Sequence, residues 1–228
     1  FAIRFEVDDN YLITATQTVA NTGDGPVAVQ PYGFINRTSR TASSDIWNVQ
    51  SGPIADVDNS VDFGTDYDDL DETKVIPAEG SSEWLGFTDI YWLSALVPEE
   101  TASADGSFRA LGDKHYRADL IYDPVTVQLG KQVSRTTRLF AGAKESDVLE
   151  AYEAQGIDRF SLAIDWGWFR WFEKPILWLL KALNSAVGNF GVAIILLTLI
   201  VRGIMFPIAQ KQFASMAAMR ALQPKMKG

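Results

Sequence analysis

The sequence predicts a mainly β chain that turns helical toward its end: an antiparallel β sandwich, then a connecting helix, an amphipathic helix, one membrane span and the start of a further helix. Three observations carry this expectation. Apolar residues alternate with polar ones over most of residues 1–144, the period changes near Glu145, and an almost unbroken apolar run follows Phe190.

"FAIRFEVD" sets Phe1, Ile3, Phe5 and Val7 against Ala2, Arg4 and Glu6, the pattern of a half-buried strand. "YLITATQTVAN" is rich in β-branched residues and ends at "NTGDGP", where Gly23 and Gly25 suit a turn. "PVAVQPYGFINR", "SSEWLGFTDIYWLSALVP", "KHYRADLIYD" and "QVSRTTRLFAG" continue in the same way. Short strands separated by turns, with no helical period between them, predict an antiparallel sandwich over 1–144. The acidic run "DVDNSVDFGTDYDDLDE" fails as a calcium loop, because Val61 stands where a glycine is required, so it is read as a solvated loop.

Over 145–164, Val148, Leu149 and Tyr152 take helical spacing behind Ser146 as an N-cap, predicting a connecting helix that Gly156 ends. Residues 165–189 crowd Trp166, Trp168, Phe169, Trp171, Phe172 and Trp178 ahead of an apolar stripe at Ile176, Leu179, Leu180, Leu183 and Val187. Aromatic rings favour the headgroup region, so this stretch reads as an amphipathic helix along a membrane surface, with Pro175 in its first turn. Phe190–Ala209 supplies about 30 Å of helix, the thickness of a hydrocarbon core. Residues 210–228 look helical again and carry Lys211, Arg220, Lys225 and Lys227 without an acid.

Charge divides the chain. The net charge is −9, yet residues 1–173 hold all 29 acidic side chains, while residues 174–228 hold seven Lys/Arg and no acid. The first part faces water. The basic tail marks its side of the span as cytoplasmic and puts the β domain outside, in the periplasm of a Gram-negative cell. With no cysteine and only His115, multi-Cys and multi-His metal sites are out of reach, and neither a catalytic group nor a cofactor is expected. No charged leader opens the chain, and Phe1 already reads as strand, so the sequence is expected to be a piece cut from a longer protein.

The informative residue is Arg202, inside "AIILLTLIVRGIMFPIAQ". A lone charge at mid-helix costs roughly 2.5–3.5 kcal/mol. It can snorkel to headgroups, pair with an acid on another helix, or line a hydrated cavity. Snorkelling is awkward, because helical side chains tilt toward the N-terminus, away from the nearer surface at Ala209. Thr198 adds a hydroxyl to the same face four residues earlier, and Pro207 would meet the carbonyl of Gly203 and favour a kink.

"DWGWF", "KPILWLLKALNSAVGNFGVAIILLTLIVRGIMFPIAQKQFASMAAMRALQPKM" and the upstream "FEVDDNYLITATQTVAN" and "EWLGFTDIYWLSALVP" together resemble the YidC/Oxa1/Alb3 family of membrane-protein insertases, in its bacterial branch. The resemblance implies a galactose-mutarotase-like β-supersandwich in the periplasm, a second transmembrane helix and the start of a cytoplasmic helical hairpin. It implies insertion and folding of inner-membrane proteins without cofactor or nucleotide, with nascent chains, the Sec translocon, the bilayer and the ribosome as partners and no nucleic acid. Arg202 aligns with the arginine of the family's hydrophilic groove, with Thr198 beside it. Trp166, Trp168, Trp171 and Trp178 fall at the membrane interface, and Lys211, Arg220 and Lys225 would make cytoplasmic contacts. A rival reading, a membrane-anchored sandwich that binds carbohydrate, relies on Trp84 and Trp92 as stacking platforms and on His115.

Overall fold

The computed structural model describes residues 1–39, 50–78, 82–99, 102–167 and 170–222, and the chain divides into two units, the first ending at Asp165 and the second beginning at Trp166. The first is a β sandwich of thirteen described strands. They run β1 (Ala2–Val7), β2 (Leu12–Ala20), β3 (Val27–Val29), β4 (Tyr32–Thr38), β5 (Gly52–Val57), β6 (Ser60–Asp62), β7 (Val75–Ala78), β8 (Ser82–Thr88), β9 (Trp92–Val97), β10 (Ala104–Gly112), β11 (His115–Tyr122), β12 (Val125–Val127) and β13 (Gln132–Ala143). A seven-stranded sheet has the order β1-β2-β13-β9-β8-β5-β6, a four-stranded sheet the order β4-β11-β10-β7, and β12 pairs with β3. The described pairings are all antiparallel, as the alternation predicts.

Over β5, β8 and β9 the seven-stranded sheet is covered on both faces. One face and the four-stranded sheet enclose Leu85, Phe87, Leu96, Phe108, Tyr116, Leu120 and Tyr122. The other face carries Ile54, Trp84, Leu93, Val97 and Phe140 against α2 (Ser146–Ala154) and a 3₁₀ turn at Phe160–Ala163, which supply Leu149, Tyr152 and Phe160. A strand buried on both sides has no polar face to show, which is why "WLSALV" in β9 lacks strict alternation. At Gly86 in β8, a Cβ would stand 1.9 Å from the Ser94 carbonyl oxygen, so β8 and β9 approach as closely as they do only because no side chain is there.

Three expectations need correction in this unit. β1 keeps its alternation but is exposed along its whole length, because it is an edge strand and neither described core cluster reaches Phe1, Ile3, Phe5 or Val7. The acidic run is not a solvated loop. Asp56 is fully buried in β5, Asp58 and Asn59 turn the β5–β6 hairpin at positive φ, and Asp66 caps α1 (Tyr67–Thr73) in a reciprocal box with Asp69. Short carboxylates do local backbone work here, as turn formers and caps. Ser146 is not the N-cap of α2. That position is Glu145, which makes no side-chain cap bond, and after Gly156 at φ 98° the chain continues as the separate 3₁₀ turn rather than as helix.

The second unit contains α3 (Arg170–Val187) and α4 (Phe190–Leu222), which pack on each other. Gly188, at φ 69°, ends α3 by donating its N–H to the Asn184 carbonyl, and Asn189 caps α4 by accepting from Val192 N–H at 3.2 Å. Pro175 lies past the first turn of α3, opposite to expectation, where its ring removes the N–H that would reach Trp171. α4 runs as one helix from Phe190 beyond Ala209, with Pro207 inside it.

Candidate intramembrane site

Residues 190–206 are rich in β-branched side chains, with Ile194–Ile195 and Ile200–Val201 adjacent, so propensity in water does not explain α4; a helix suits this apolar run because it satisfies its backbone N–H and C=O groups internally. Phe190–Gln212 is long and apolar enough to cross a bilayer, with a mean hydropathy of 2.4. Its large side chains, among them Ile194, Ile195, Leu199, Ile204, Met205 and Phe206, point outward on every side. A helix apolar all round is built for an apolar surrounding.

Within it, the Thr198 hydroxyl donates back to the Ile194 carbonyl at 2.9 Å, so it needs no outside acceptor. Thr198 and Arg202, four residues apart, share one face. Both are exposed, and no carboxylate among the described residues pairs with Arg202. Trp171 and Trp178 stand two turns apart on α3, 75% and 70% exposed, and the Trp171 ring lies tilted at 58° beside Phe172, with centroids 5.8 Å apart. The Lys174 ammonium lies 5.7 Å from the centre of the Trp166 ring. Lys211 is exposed, Arg220 lies on the backbone of α4, and Trp168 and Lys225 fall outside the described residues.

The residues offered for sugar binding do not assemble. Trp84 is fully buried, its indole N–H donating to the Asp158 carbonyl at 3.1 Å, while Trp92 is 60% exposed. The exposed His115 has its Nδ1 3.0 Å from the Asp113 carbonyl oxygen rather than beside an acid. Alternation alone did not reveal that both faces of β8 are covered.

The sandwich also buries ionic groups that the sequence reading missed. Arg159 Nε donates to both oxygens of Asp56 at 3.0 Å. Burial pushes the Asp56 carboxyl up from its usual range, and the Arg159 guanidinium opposes that rise. Arg37 pairs with Asp89 at 2.7 Å, and Arg109 and Arg117 both hold Asp119 at 2.8 Å. Burial pushes the Lys144 ammonium down to about 8, against the pull of Asp89 and Asp165, with its Nζ donating to Thr88 Oγ1 at 3.0 Å. Asp56 and Asp89 are remote in sequence from their arginines, so no local pattern announces those two pairs.

An acidic β sandwich continued by a short connector into an aromatic helix and a helix of membrane-spanning length defines a membrane-anchored protein with a water-facing β domain. The model of the YidC periplasmic domain matches residues 1–179, and that of the 60Kd inner membrane protein matches residues 182–228. The chain is 43% identical over 230 residues to the membrane protein insertase YidC of Zymomonas mobilis, covering 99% of this chain and 40% of that protein. It is 43% identical over 233 residues to the protein of the same name from Roseobacter denitrificans, covering 97% and 38%, and 36% identical over 231 residues to that of Rickettsia canadensis, covering 99% and 41%. The chain belongs to the YidC family. It spans about two fifths of the length of these relatives.

Proposed function

We propose that the protein inserts and folds proteins of the bacterial inner membrane, and that this chain supplies the later part of its periplasmic domain, its second transmembrane helix and the start of its cytoplasmic hairpin. The relatives named for that activity support the reading, and one observation carries it to a residue: an exposed arginine without a carboxylate partner among the described residues, in an otherwise apolar helix, with a hydroxyl on the same face. A passive anchor gains nothing from such a charge, which costs roughly 2.5–3.5 kcal/mol at mid-bilayer.

The mechanism is electrostatic and involves no covalent step. A permanent guanidinium in a partly desolvated groove exerts a field that bulk water would quench. An acidic or polar segment of an incoming chain meets that charge instead of hydrocarbon, which lowers the cost of its passage, while the apolar part of the same chain partitions into lipid. Binding is transient because nothing but charge and hydrogen bonds holds the segment. The remaining groove walls come from other helices of the full-length protein.

By the positive-inside rule, Lys211, Arg220, Lys225 and Lys227 keep the end of α4 cytoplasmic and leave the sandwich in the periplasm. These residues also suit anionic lipid or an emerging chain. Trp166, Trp168, Trp171 and Trp178 seat α3 at the headgroups. Nascent inner-membrane proteins, alone or delivered through the Sec translocon or from the ribosome, are the partners of this reading.

The test uses the full-length protein with a photocrosslinker at Thr198 or Arg202, and at Leu197 as control, during synthesis of a single-span substrate. Nascent-chain adducts from positions 198 and 202 but not from 197 are expected. Lipid adducts of equal yield at all three positions would return Arg202 to a snorkelling role and the protein to the anchors.

A further inference from the structure

Between the last strand and the second unit lies a connector, residues 144–165, that lies on the outer face of the seven-stranded sheet. Leu149, Tyr152, Ile157, Phe160 and Ala163 bury themselves there, and such contacts bring adhesion but little register. A different kind of contact stands beside them. Ile54 and Asp56 share the face of β5 that looks at the connector, and the Asp56 carboxylate is fully buried there beside that apolar cluster. The β5–β8 register shifts at Asp56, where Trp84 is its partner across the sheet.

These two neighbours hold two consecutive residues of the connector. The Trp84 indole N–H donates to the Asp158 carbonyl at 3.1 Å, and both oxygens of the Asp56 carboxylate accept from Arg159 Nε–H at 3.0 Å. Arg159 adopts φ 56° and ψ 20°, a left-handed conformation that an arginine avoids in isolation, immediately before the 3₁₀ turn. The conformation persists because the side chain is held from the sheet. Beyond it, Glu153 accepts the Ser161 N–H at 2.9 Å and closes the connector on itself. Asp158 and Glu83 add negative field around the guanidinium.

A buried ion pair adds little net stability over well-packed apolar residues, but it tolerates one geometry and penalises the others. Apolar contacts alone would let the connector slide on the sheet, and this pair does not. We propose that Asp56 and Arg159 are positioning residues: their ion pair locks the connector in a single register on the sheet and thereby fixes the point at which the chain leaves the sandwich for the membrane helices. That this matters for insertion rests on the function proposed above.

The experiment compares the full-length protein with Asp56→Asn and Arg159→Lys, by hydrogen exchange in detergent and by insertion of a single-span test protein in cells where it is the sole insertase, at matched abundance. Asp56→Asn is expected to speed exchange about tenfold at residues 157–164 while leaving β10 and β11 at the parental rate, and to lower insertion at unchanged protein level. Arg159→Lys, which keeps the charge and loses the two-oxygen grip, should fall between. Unchanged exchange in both variants overturns the lock. Faster exchange with parental insertion overturns the positioning role. Should Asp56→Asn fail to accumulate, Arg159→Lys decides by the same two readouts. An unsubstituted protein that inserts nothing sinks the insertase reading, and the exchange comparison then still decides whether the pair locks the connector.

Discussion

At the scale of single residues, charge is the most informative quantity, and its effect depends on what surrounds it. Replacing Arg202 by Lys keeps a positive field and should retain most insertion, whereas Arg202→Glu should abolish it for substrates with an acidic leading segment; equal activity of the two variants would remove the field from the mechanism. Lys144 makes a separate prediction. Its folded value of about 8 lies below the ordinary 10.5, so above about pH 10.5 the folded state no longer bears the cost of a buried charge, and that advantage is lost as pH falls through 8. Urea unfolding of the chain in detergent should therefore show stability rising from pH 8 to 10.5 by on the order of 2–3 kcal/mol relative to Lys144→Met, in which this rise is missing. Gly86→Ala places a methyl group on the β9 backbone and should cost about 3 kcal/mol or more, read as a lower urea midpoint; a neutral result would mean that β8 and β9 part easily. That Arg202 would lie within one long apolar helix was legible in the sequence, because the run from Phe190 is almost unbroken in its apolar residues. The buried pairs were not, since Asp56 sits in a run of acids that looks solvated and its partner lies a hundred residues away.

At the scale of elements, alternation located strands, and it did not tell what would cover each face. The alternation of β4 needs only the rule that a strand turns every second residue inward. Trp84, in a sheet covered on both sides, looks the same in sequence as Trp92, because only the position of the connector decides which aromatic is enclosed. The caps and turns of the acidic run were hidden for a related reason: the chemistry that favours water also favours a helix N-terminus. α3 carries its own prediction. With every tryptophan but Trp178 replaced by Phe, and the chain in vesicles, brominated lipids labelled near the headgroup should quench its emission more strongly than lipids labelled deep in the chains. Equal quenching at both depths, or none, would remove α3 from the interface.

On the scale of the whole molecule, the division of charge in the sequence matches the division into units: the acids sit on the sandwich and the first turns of α3, and α4 carries none. The sandwich described here has an edge, β1, whose apolar face nothing described covers, and this could not be foreseen from alternation, which reports that a face is apolar and not what will meet it. The sheet order has a mechanical consequence. β2 lies between β1 and β13 and is antiparallel to both, so β1 and β13 point the same way, and the start of one and the end of the other lie at opposite ends of the sheet. A load applied between residue 1 and residue 165 first draws the connector off and then pulls along the strands, straining the β1–β2 and β2–β13 hydrogen bonds together rather than opening them one after another. In an optical trap the sandwich should hold to high force and then give way in a single step; gradual lengthening at low force would show that it unzips. A domain that yields in this way can bear traction from the bilayer side without losing its shape.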